Sequence, residues 1–256
     1  MKKIILIPMS LLLVFLSSCS LGKSENTNMS SPVHDSQEIP TESAVQKEET
    51  TLEYGTAAEI LSREIKDYSD VKVKEHDYRA LKVMEKLPDI LKYNQSYYYY
   101  YPNSQAEELY NLINAKDKDT IISRFSPETQ EEEGSMLGRK IDVLFKYIDG
   151  PIVDYDEKDP YSTEVYSSYG EKVWIRIYYS GYFYTASNTK YRIWIDYDIK
   201  DETDDKVGIT YISVVTDEID NYDIEHSLSD YKYKSIYDSG QSAIACFTKE
   251  GLIDVN

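Results

Sequence analysis

The hydrophobic residues between positions 104 and 125 recur at the spacing of amphipathic α-helices. The first stripe falls at i, i+3, i+4 and i+7 and consists of Ala106, Leu109, Tyr110 and Ile113. Ser104 and Glu107 have the spacing of a capping box, so this helix is predicted to begin at Ser104. A short second helix is predicted around Ile121, Ile122 and Phe125.

A third helix is predicted to start at Ser126, which suits the N-cap position because its hydroxyl can accept a free backbone N–H. Pro127 then occupies the first helical position, and Glu128 lies at the positive end of the helix dipole. The apolar stripe of this helix comprises Leu137, Ile141, Leu144, Phe145 and Ile148. Gly134 and Gly138 weaken its first half.

From residue 151 onward the pattern changes to strict alternation, which indicates β-strands. The apolar positions are Val173, Ile175, Ile177, Tyr179, Tyr191, Ile193, Ile195 and Tyr197. The intervening positions are Lys172, Trp174, Arg176, Tyr178, Arg192, Trp194, Asp196 and Asp198. A third strand begins with Val207, Ile209 and Tyr211, and weaker candidates cover residues 152–156 and 161–168. Alternation of this kind is typical of an antiparallel sheet with one buried face, and helices followed by strands indicate an α+β fold.

The region before residue 104 has a weaker pattern. Apolar spacing within residues 56–93 predicts two short helices, the first capped by Thr56. Residues 97–101 are five consecutive tyrosines followed by Pro102. Five adjacent rings cannot all face one way on a regular element, so we interpret them as an extended connector that partly covers the core. An aromatic strip for binding a sugar or a protein is the alternative.

The first 19 residues carry a targeting signal. A basic start at Lys2 and Lys3 precedes an apolar run from Ile4 to Leu16, which is too short to span a bilayer but suits a secretory signal. The following Leu16-Ser17-Ser18-Cys19 resembles the lipobox of bacterial lipoproteins. That resemblance implies that the Cys19 thiol receives a diacylglycerol and that residues 1–18 are removed as a signal peptide. Paired acyl chains would then hold the protein on the extracytoplasmic face of the cell membrane.

The composition limits what the rest of the chain can do. The 46 acidic and 28 basic residues give a net charge of −18, which disfavours nucleic acid as a partner. Only 2 Cys and 3 His are present, so we predict no metal site and no disulfide framework. The sequence has neither a P-loop nor a G-x-G-x-x-G motif, and we predict no cofactor. Cys246 lies in an apolar run and is interpreted as a buried thiol. The acidic loop at 154–159 lacks the glycine and the final glutamate of an EF-hand, and the loops at 201–205 and 217–223 are interpreted as solvated turns.

Several segments together are similar to a family of Gram-positive lipoproteins of unknown function. They are residues 106–109, 114–119, 125–127, 144–150, 191–193 and 204–209. The resemblance implies a cone like that of cystatin or nuclear transport factor 2, in which a bent antiparallel sheet wraps a helix. It implies no catalytic residues.

We therefore divide the chain into five parts. Residues 1–18 form the signal peptide, 19–51 a disordered tether rich in polar residues, and 52–103 a helical extension. Residues 104–218 form the cystatin-like domain, and 219–256 a C-terminal extension.

The open end of such a cone could hold a ligand, and the candidate pocket residues are Trp174, Arg176, Trp194 and Asp196. The alternative places the same residues on the outer, solvent-facing side of the sheet, since a one-residue slip in register exchanges the two faces.

The leading functional hypothesis is a membrane-anchored, non-enzymatic module that binds a small ligand or an envelope protein. An enzyme, such as a hydrolase using the cone as its pocket, and a structural lipoprotein without a ligand are the alternatives.

Overall fold

The computed structural model describes residues 55–168, 171–220, 243–248 and 251–253. Residues 51–256 form one compact unit, and all that follows concerns the described part of it. Its helices are α1 (Ala57–Ser62), α2 (Arg79–Met84), α3 (Asp89–Lys92), α4 (Gln95–Ala115), α5 (Lys118–Arg124), α6 (Pro127–Glu133) and α7 (Ser135–Tyr147). Its strands are β1 (Ile152–Asp156), β2 (Ser162–Ser168), β3 (Glu171–Thr185), β4 (Lys190–Lys200), β5 (Gly208–Thr216), β6 (Ile244–Thr248) and β7 (Gly251–Leu252). The predicted α+β order, with helices first and a curved sheet after them, is confirmed.

The sheet is built around the long strand β3. Strands β1 and β2 both pair antiparallel with β3, one along each half, and β4 and β5 continue the sheet on the other side. The pairing is antiparallel as predicted except at β6, which runs parallel to β5. The register of β4 against β5 shifts after Asp196, and such a bulge bends a strand and increases its twist. The sheet is curved and does not close.

The core lies between the sheet and the helices α4 and α7. Alternate side chains of β3 and β4 point into it, and Ile175, Ile177, Ile193 and Ile195 are fully buried. The predicted alternation of these two strands is confirmed. In β5 the shift inserts Thr210, so that Ile209 and Ile212 are buried while Tyr211 lies on the other face with only partial burial. The alternation that we predicted from Ile209 to Tyr211 is therefore wrong.

The tyrosine run is helical, so the prediction of an extended connector is wrong. Helix α4 begins after Asn94, whose side chain accepts a hydrogen bond from the Tyr97 N–H, and it does not begin at Ser104. Tyr97 and Tyr101 lie one turn apart with their rings stacked at 5.4 Å, and Tyr97 is buried. The rings spread around the helix, and it is burial on one side that stabilises a segment of poor helical propensity. The boundary expected between residues 103 and 104 falls inside α4.

Two other helical predictions need correction. The single helix expected after Ser126 is interrupted at Gly134, whose φ of +53° ends α6 and is a backbone conformation that glycine adopts without strain. The N-terminal capping of α6 is confirmed, because the Ser126 hydroxyl accepts the Thr129 N–H and Pro127 opens the helix. Residues 56–93 form α1, α2 and the one-turn α3, and not two helices as predicted; Thr56 does cap α1.

Strand β6 belongs to the segment expected as a C-terminal extension, yet it is hydrogen-bonded into the same sheet. The Tyr147 hydroxyl at the end of α7 donates to the Phe247 carbonyl at 2.5 Å and accepts the Thr216 N–H at 3.2 Å. One side chain thus joins α7, β5 and β6. Cys246 in β6 is buried as predicted, and burial raises the pKa of its thiol.

We expect Tyr147→Phe to lower the free energy of unfolding by about 1–3 kcal/mol, because it removes the buried hydrogen bonds of this hydroxyl to the Phe247 carbonyl and from the Thr216 N–H. Tyr197→Phe is the matched control. Its hydroxyl is equally buried but has no hydrogen-bond partner among the described residues, so its loss should leave stability unchanged or slightly raised. Urea unfolding followed by tryptophan fluorescence measures both. Equal losses from the two substitutions would contradict this account of Tyr147.

Candidate functional site

The four candidate pocket residues all lie on the outer face of the sheet, which we define as the face opposite α4 and α7. Register places Glu164, Arg176 and Asp198 in one row across β2, β3 and β4. Ser162, Tyr178 and Asp196 form the next row. The cone interior that we considered as their location is instead the packed core.

These residues are divided between two cavities. The Trp174 cavity has a volume of about 340 Å³ and is lined by Glu128, Thr129, Glu132, Trp174, Arg176, Asp198, Asp201, Lys206 and Thr210. The Asp196 cavity has a volume of about 260 Å³ and is lined by Tyr161, Ser162, Glu164, Tyr178, Tyr179, Trp194 and Asp196. The structure therefore brings Trp174 together with Arg176, and Trp194 together with Asp196.

Arg176 and Asp198 form a two-bond ion pair between neighbouring strands. The guanidinium donates from Nε to Oδ1 at 2.5 Å and from Nη2 to Oδ2 at 2.6 Å, and Asp198 is buried. The paired carboxylate raises the pKa of Arg176, which stays charged. Because the two charges neutralise each other, Arg176 offers little net charge to a ligand in either cavity.

Asp196 is the unusual group of the outer face. Its carboxyl is largely buried, and none of the described residues donates a hydrogen bond to it. Burial raises the pKa of Asp196 to about 7; the negative charges of Asp198 and Glu164 add to this effect, and Arg176 opposes it. Near neutral pH the carboxyl is thus about half protonated. A strongly shifted carboxyl inside a cavity is a feature of functional sites.

Aromatic side chains form the walls around Asp196. The Trp194 ring lies under the Arg192 guanidinium at 4.4 Å, and Arg192 in turn pairs with Asp220 at 3.0 Å. Trp194 also packs against a small second core on the outer face, made of Val215, Ile219, Ala245 and Phe247. Tyr161 is 83% exposed at the mouth of the cavity, and its N–H donates to the Tyr178 carbonyl. The cavity therefore has one anchored ring and one accessible ring.

The chemistry of the Asp196 cavity favours a ligand that donates hydrogen bonds or carries positive charge. Glu164 and Asp196 supply acceptors, and Tyr161, Tyr178 and Trp194 supply aromatic faces. None of the residues lining the cavity is basic. An anionic ligand would be repelled, whereas an ammonium or guanidinium group would find both carboxylates and π faces.

A second cluster surrounds His76, one of the three histidines of the chain. His76 Nδ1 lies 3.0 Å from Glu157 Oε2, and the Glu107 carboxylate accepts the His76 backbone N–H and the Tyr155 hydroxyl. The Tyr155 hydroxyl also meets that of Tyr78. No local motif could have revealed this cluster, because its members come from the segment before α2, from α4, and from β1 with the loop after it. It attaches residues 76–78 to α4 and β1.

Other expected features give few further candidates. Within residues 55–168, 171–220, 243–248 and 251–253, no group of three or more His, Cys, Asp or Glu side chains is placed to hold a metal ion. In the same part of the chain, no helix is long and apolar enough to cross a bilayer. Cys19, the expected lipid attachment residue, lies outside the described residues, as does part of the acidic loop at 217–223.

Comparison with known proteins adds one relationship. A family described as "Domain of unknown function (DUF5104)" matches residues 108–217. The match covers α5 to β5 and the C-terminal part of α4 from residue 108, and it includes Trp174, Arg176, Trp194 and Asp196. A search of curated proteins finds no match to the chain.

We expect the contribution of Asp196 to stability to fall as pH rises from about 4 to about 7, because the folded state holds the Asp196 proton that the unfolded chain releases near pH 3.8. Asp196→Asn should remove this component. The unfolding free energy of the variant should equal that of the native protein near pH 4 and exceed it by about 2–4 kcal/mol at pH 8. Denaturant unfolding at each pH measures the difference.

Asp204→Asn is the control, since it removes the same charge from an exposed turn. The unfolding free energy of this control should change with pH in the same way as that of the native protein. A native-like pH profile for Asp196→Asn would show that this carboxyl is not desolvated.

Proposed function

We propose that this protein is a lipid-anchored extracytoplasmic binding protein that captures a cationic ligand in the Asp196 cavity. In this proposal Cys19 carries the acyl chains after removal of residues 1–18, and residues 19–51 tether the folded unit. The order of a basic start, an apolar run, small residues and a cysteine supports the anchor. The observation that carries the binding role is the Asp196 carboxyl, which is largely buried, lacks a donor and faces a cavity with aromatic walls.

The charge of the ligand follows from the groups around that carboxyl. Burying a carboxylate without a donor is costly, and a cation supplies both a counter-charge and N–H donors. Arg176 cannot do so, because its guanidinium is bonded to Asp198. The net charge of −18 adds a long-range field that concentrates cations near the surface.

A cationic ligand is coupled to the ionisation of Asp196. Since the cation prefers the carboxylate, binding lowers the pKa of Asp196 from about 7 and releases a proton. The affinity should therefore rise through neutral pH and level off once the free protein is fully ionised. An uncharged, hydroxyl-bearing ligand lacks this strong preference for the carboxylate.

We expect spermidine or trilysine to bind more tightly at pH 8 than at pH 6, with Asp196→Asn weakening binding at least tenfold at pH 8. The chain has two tryptophans, so a Trp174→Phe background leaves Trp194 as the fluorescent reporter inside the cavity. Asp204→Asn is again the charge-matched control. Equal weakening by the two variants would indicate only the general field of an acidic protein. If maltotriose binds independently of pH and the amines do not bind, the ligand is a saccharide and the proposal of a cationic ligand is wrong.

A hydrolytic role would use the same carboxyl. A carboxyl that keeps its proton near pH 7 can act as a general acid, and Glu164 in the same cavity could act as the base. Turnover of nitrophenyl glycosides or esters that Asp196→Asn abolishes would favour this second candidate. Saturable binding without turnover favours the binding role.

The anchor is tested separately from the cavity. We expect the native protein to partition with membranes in the bacterial host and to leave them only with detergent, whereas Cys19→Ser should appear in the soluble fraction or keep its signal peptide. Mass spectrometry of the N-terminal peptide checks the result, since acylation should increase the mass of a peptide that begins at Cys19. Ser18→Ala keeps a small residue and the cysteine and should retain the anchor. An unmodified Cys19 in the native chain would contradict the proposal.

A further inference from the structure

A cluster of basic residues lies around a cavity where the C-terminal ends of α1, α4 and α7 meet. We call this cavity the Lys116 pocket; its volume is about 340 Å³. Its charged lining residues are Arg63, Lys66, Lys116 and Lys146 on the basic side and Glu64 and Asp149 on the acidic side. Basic residues thus outnumber acidic ones here, within a chain that is strongly acidic overall.

Two of the basic residues stabilise helix ends. Lys146 Nζ donates to the Leu61 carbonyl in the last turn of α1 at 2.7 Å. Arg63 Nη1 in turn lies 3.4 Å from both the Lys146 and the Tyr147 carbonyl oxygens at the end of α7. These contacts offset the partial negative charge of both helix ends. Arg63 uses only one of its nitrogens in them, so its remaining N–H groups and Lys66 stay available to a ligand.

Lys116 is held differently. Its side chain lies against two aromatic rings, with Nζ 4.9 Å from the Phe145 centroid and 5.5 Å from the Tyr68 centroid. Among the described residues its ammonium has neither a hydrogen-bond acceptor nor an ion-pair partner. Burial lowers the pKa of Lys116 to about 8, and the nearby Asp67 charge opposes that effect. A half-buried ammonium without an acceptor is the complement of an anionic ligand.

The backbone at Lys116 adds an independent observation. Its φ of 54° lies in the left-handed region at the C-cap of α4, a position where glycine is favoured and a lysine is strained. The chain therefore has a lysine where local conformation would prefer glycine. Strain of this kind is common at functional sites, and here it accompanies an ammonium group that has no hydrogen-bond acceptor among the described residues.

We propose that the Lys116 pocket binds a phosphate monoester, with Lys116 and Lys66 in contact with the phosphate group. Four basic residues against two acidic ones in the lining, with Asp67 nearby, leave a positive surplus that suits an anionic group. A volume of about 340 Å³ is at the lower end of small-molecule sites, so there is room for more than a bare phosphate. The phosphate group can belong to a soluble metabolite or to a lipid headgroup. This proposal does not depend on the ligand of the Asp196 cavity.

The test titrates the full chain with glycerol 3-phosphate, inorganic phosphate and vesicles containing a phosphatidic acid, with phosphatidylcholine vesicles as the blank. Calorimetry gives the affinity. In a sample whose lysines carry ¹³C-methyl groups, the Lys116 resonance is assigned by its absence from Lys116→Gly. We expect the phosphate ligands to shift this resonance and to raise the pKa of the Lys116 amine.

Lys116→Gly should weaken the binding of glycerol 3-phosphate at least tenfold while the melting temperature stays equal or rises, because glycine suits the left-handed backbone. Lys74→Gln, which removes a positive charge from an exposed ion pair with Asp154, is the matched control and should bind normally. Binding to the soluble ester identifies a metabolite, and binding confined to the phosphatidic acid vesicles identifies a headgroup. No binding in any arm, or equal weakening by both variants, would overturn the proposal.

Discussion

The burial of one face of the sheet is the constraint on which the rest of this structure depends. Because side chains alternate along a strand, packing Ile175, Ile177, Ile193 and Ile195 against α4 and α7 forces the residues between them to the outer face. Trp174, Arg176, Trp194 and Asp196 are therefore grouped by the core and not by any motif of their own. A substitution that shifted the register by one residue would turn these polar groups into the core, and neither outer cavity would keep its lining. The free-energy cost of burying the polar side chains and exposing the isoleucines keeps the candidate site on the outer face.

Charge pairing on that outer face explains why Asp196 and not Asp198 is the exceptional carboxyl. The two residues are two positions apart on β4 and face the same side. Asp198 lies opposite Arg176 and is bonded to it, whereas Asp196 lies opposite Tyr178 and receives the same cation only at longer range. The ion pair offsets the desolvation of the Asp198 carboxylate. The Asp196 carboxylate has no such partner, so the cost of its burial is not offset. One cross-strand neighbour thus decides which acid is structural and which is available for a ligand.

The sequence was sufficient for the parts of the fold that depend on local periodicity. The alternation in β3 and β4 and the cap at Ser126 are short-range properties, and the structure has both. The tyrosine run was predicted wrongly because its helix is stabilised by tertiary packing, such as the contact of Tyr101 with Tyr197 on β4, which local propensity does not report. The cluster at His76 was missed for a similar reason, since Glu107 and Glu157 approach it only after α4 and β1 have packed together. Register across strands, and with it the isolation of Asp196, is likewise a product of long-range pairing.

Net charge is a poor guide to the ions that this molecule would attract, because two of its cavities, the Asp196 cavity and the Lys116 pocket, have opposite electrostatic character. The acidic excess reinforces the field at the Asp196 cavity, which contains no basic residue. At the Lys116 pocket the same excess opposes the local charge, so an anion can be attracted only over the few ångströms in which Lys66 and Lys116 dominate. Salt screens the long-range field more strongly than contacts at hydrogen-bond distance. Rising ionic strength should therefore weaken the proposed cation binding at the Asp196 cavity, because it screens both the local attraction and the long-range field of the acidic chain. At the Lys116 pocket it screens the local attraction of an anion but also the long-range repulsion by the acidic chain. The two sites are thus distinguishable by their salt dependence even before their ligands are identified.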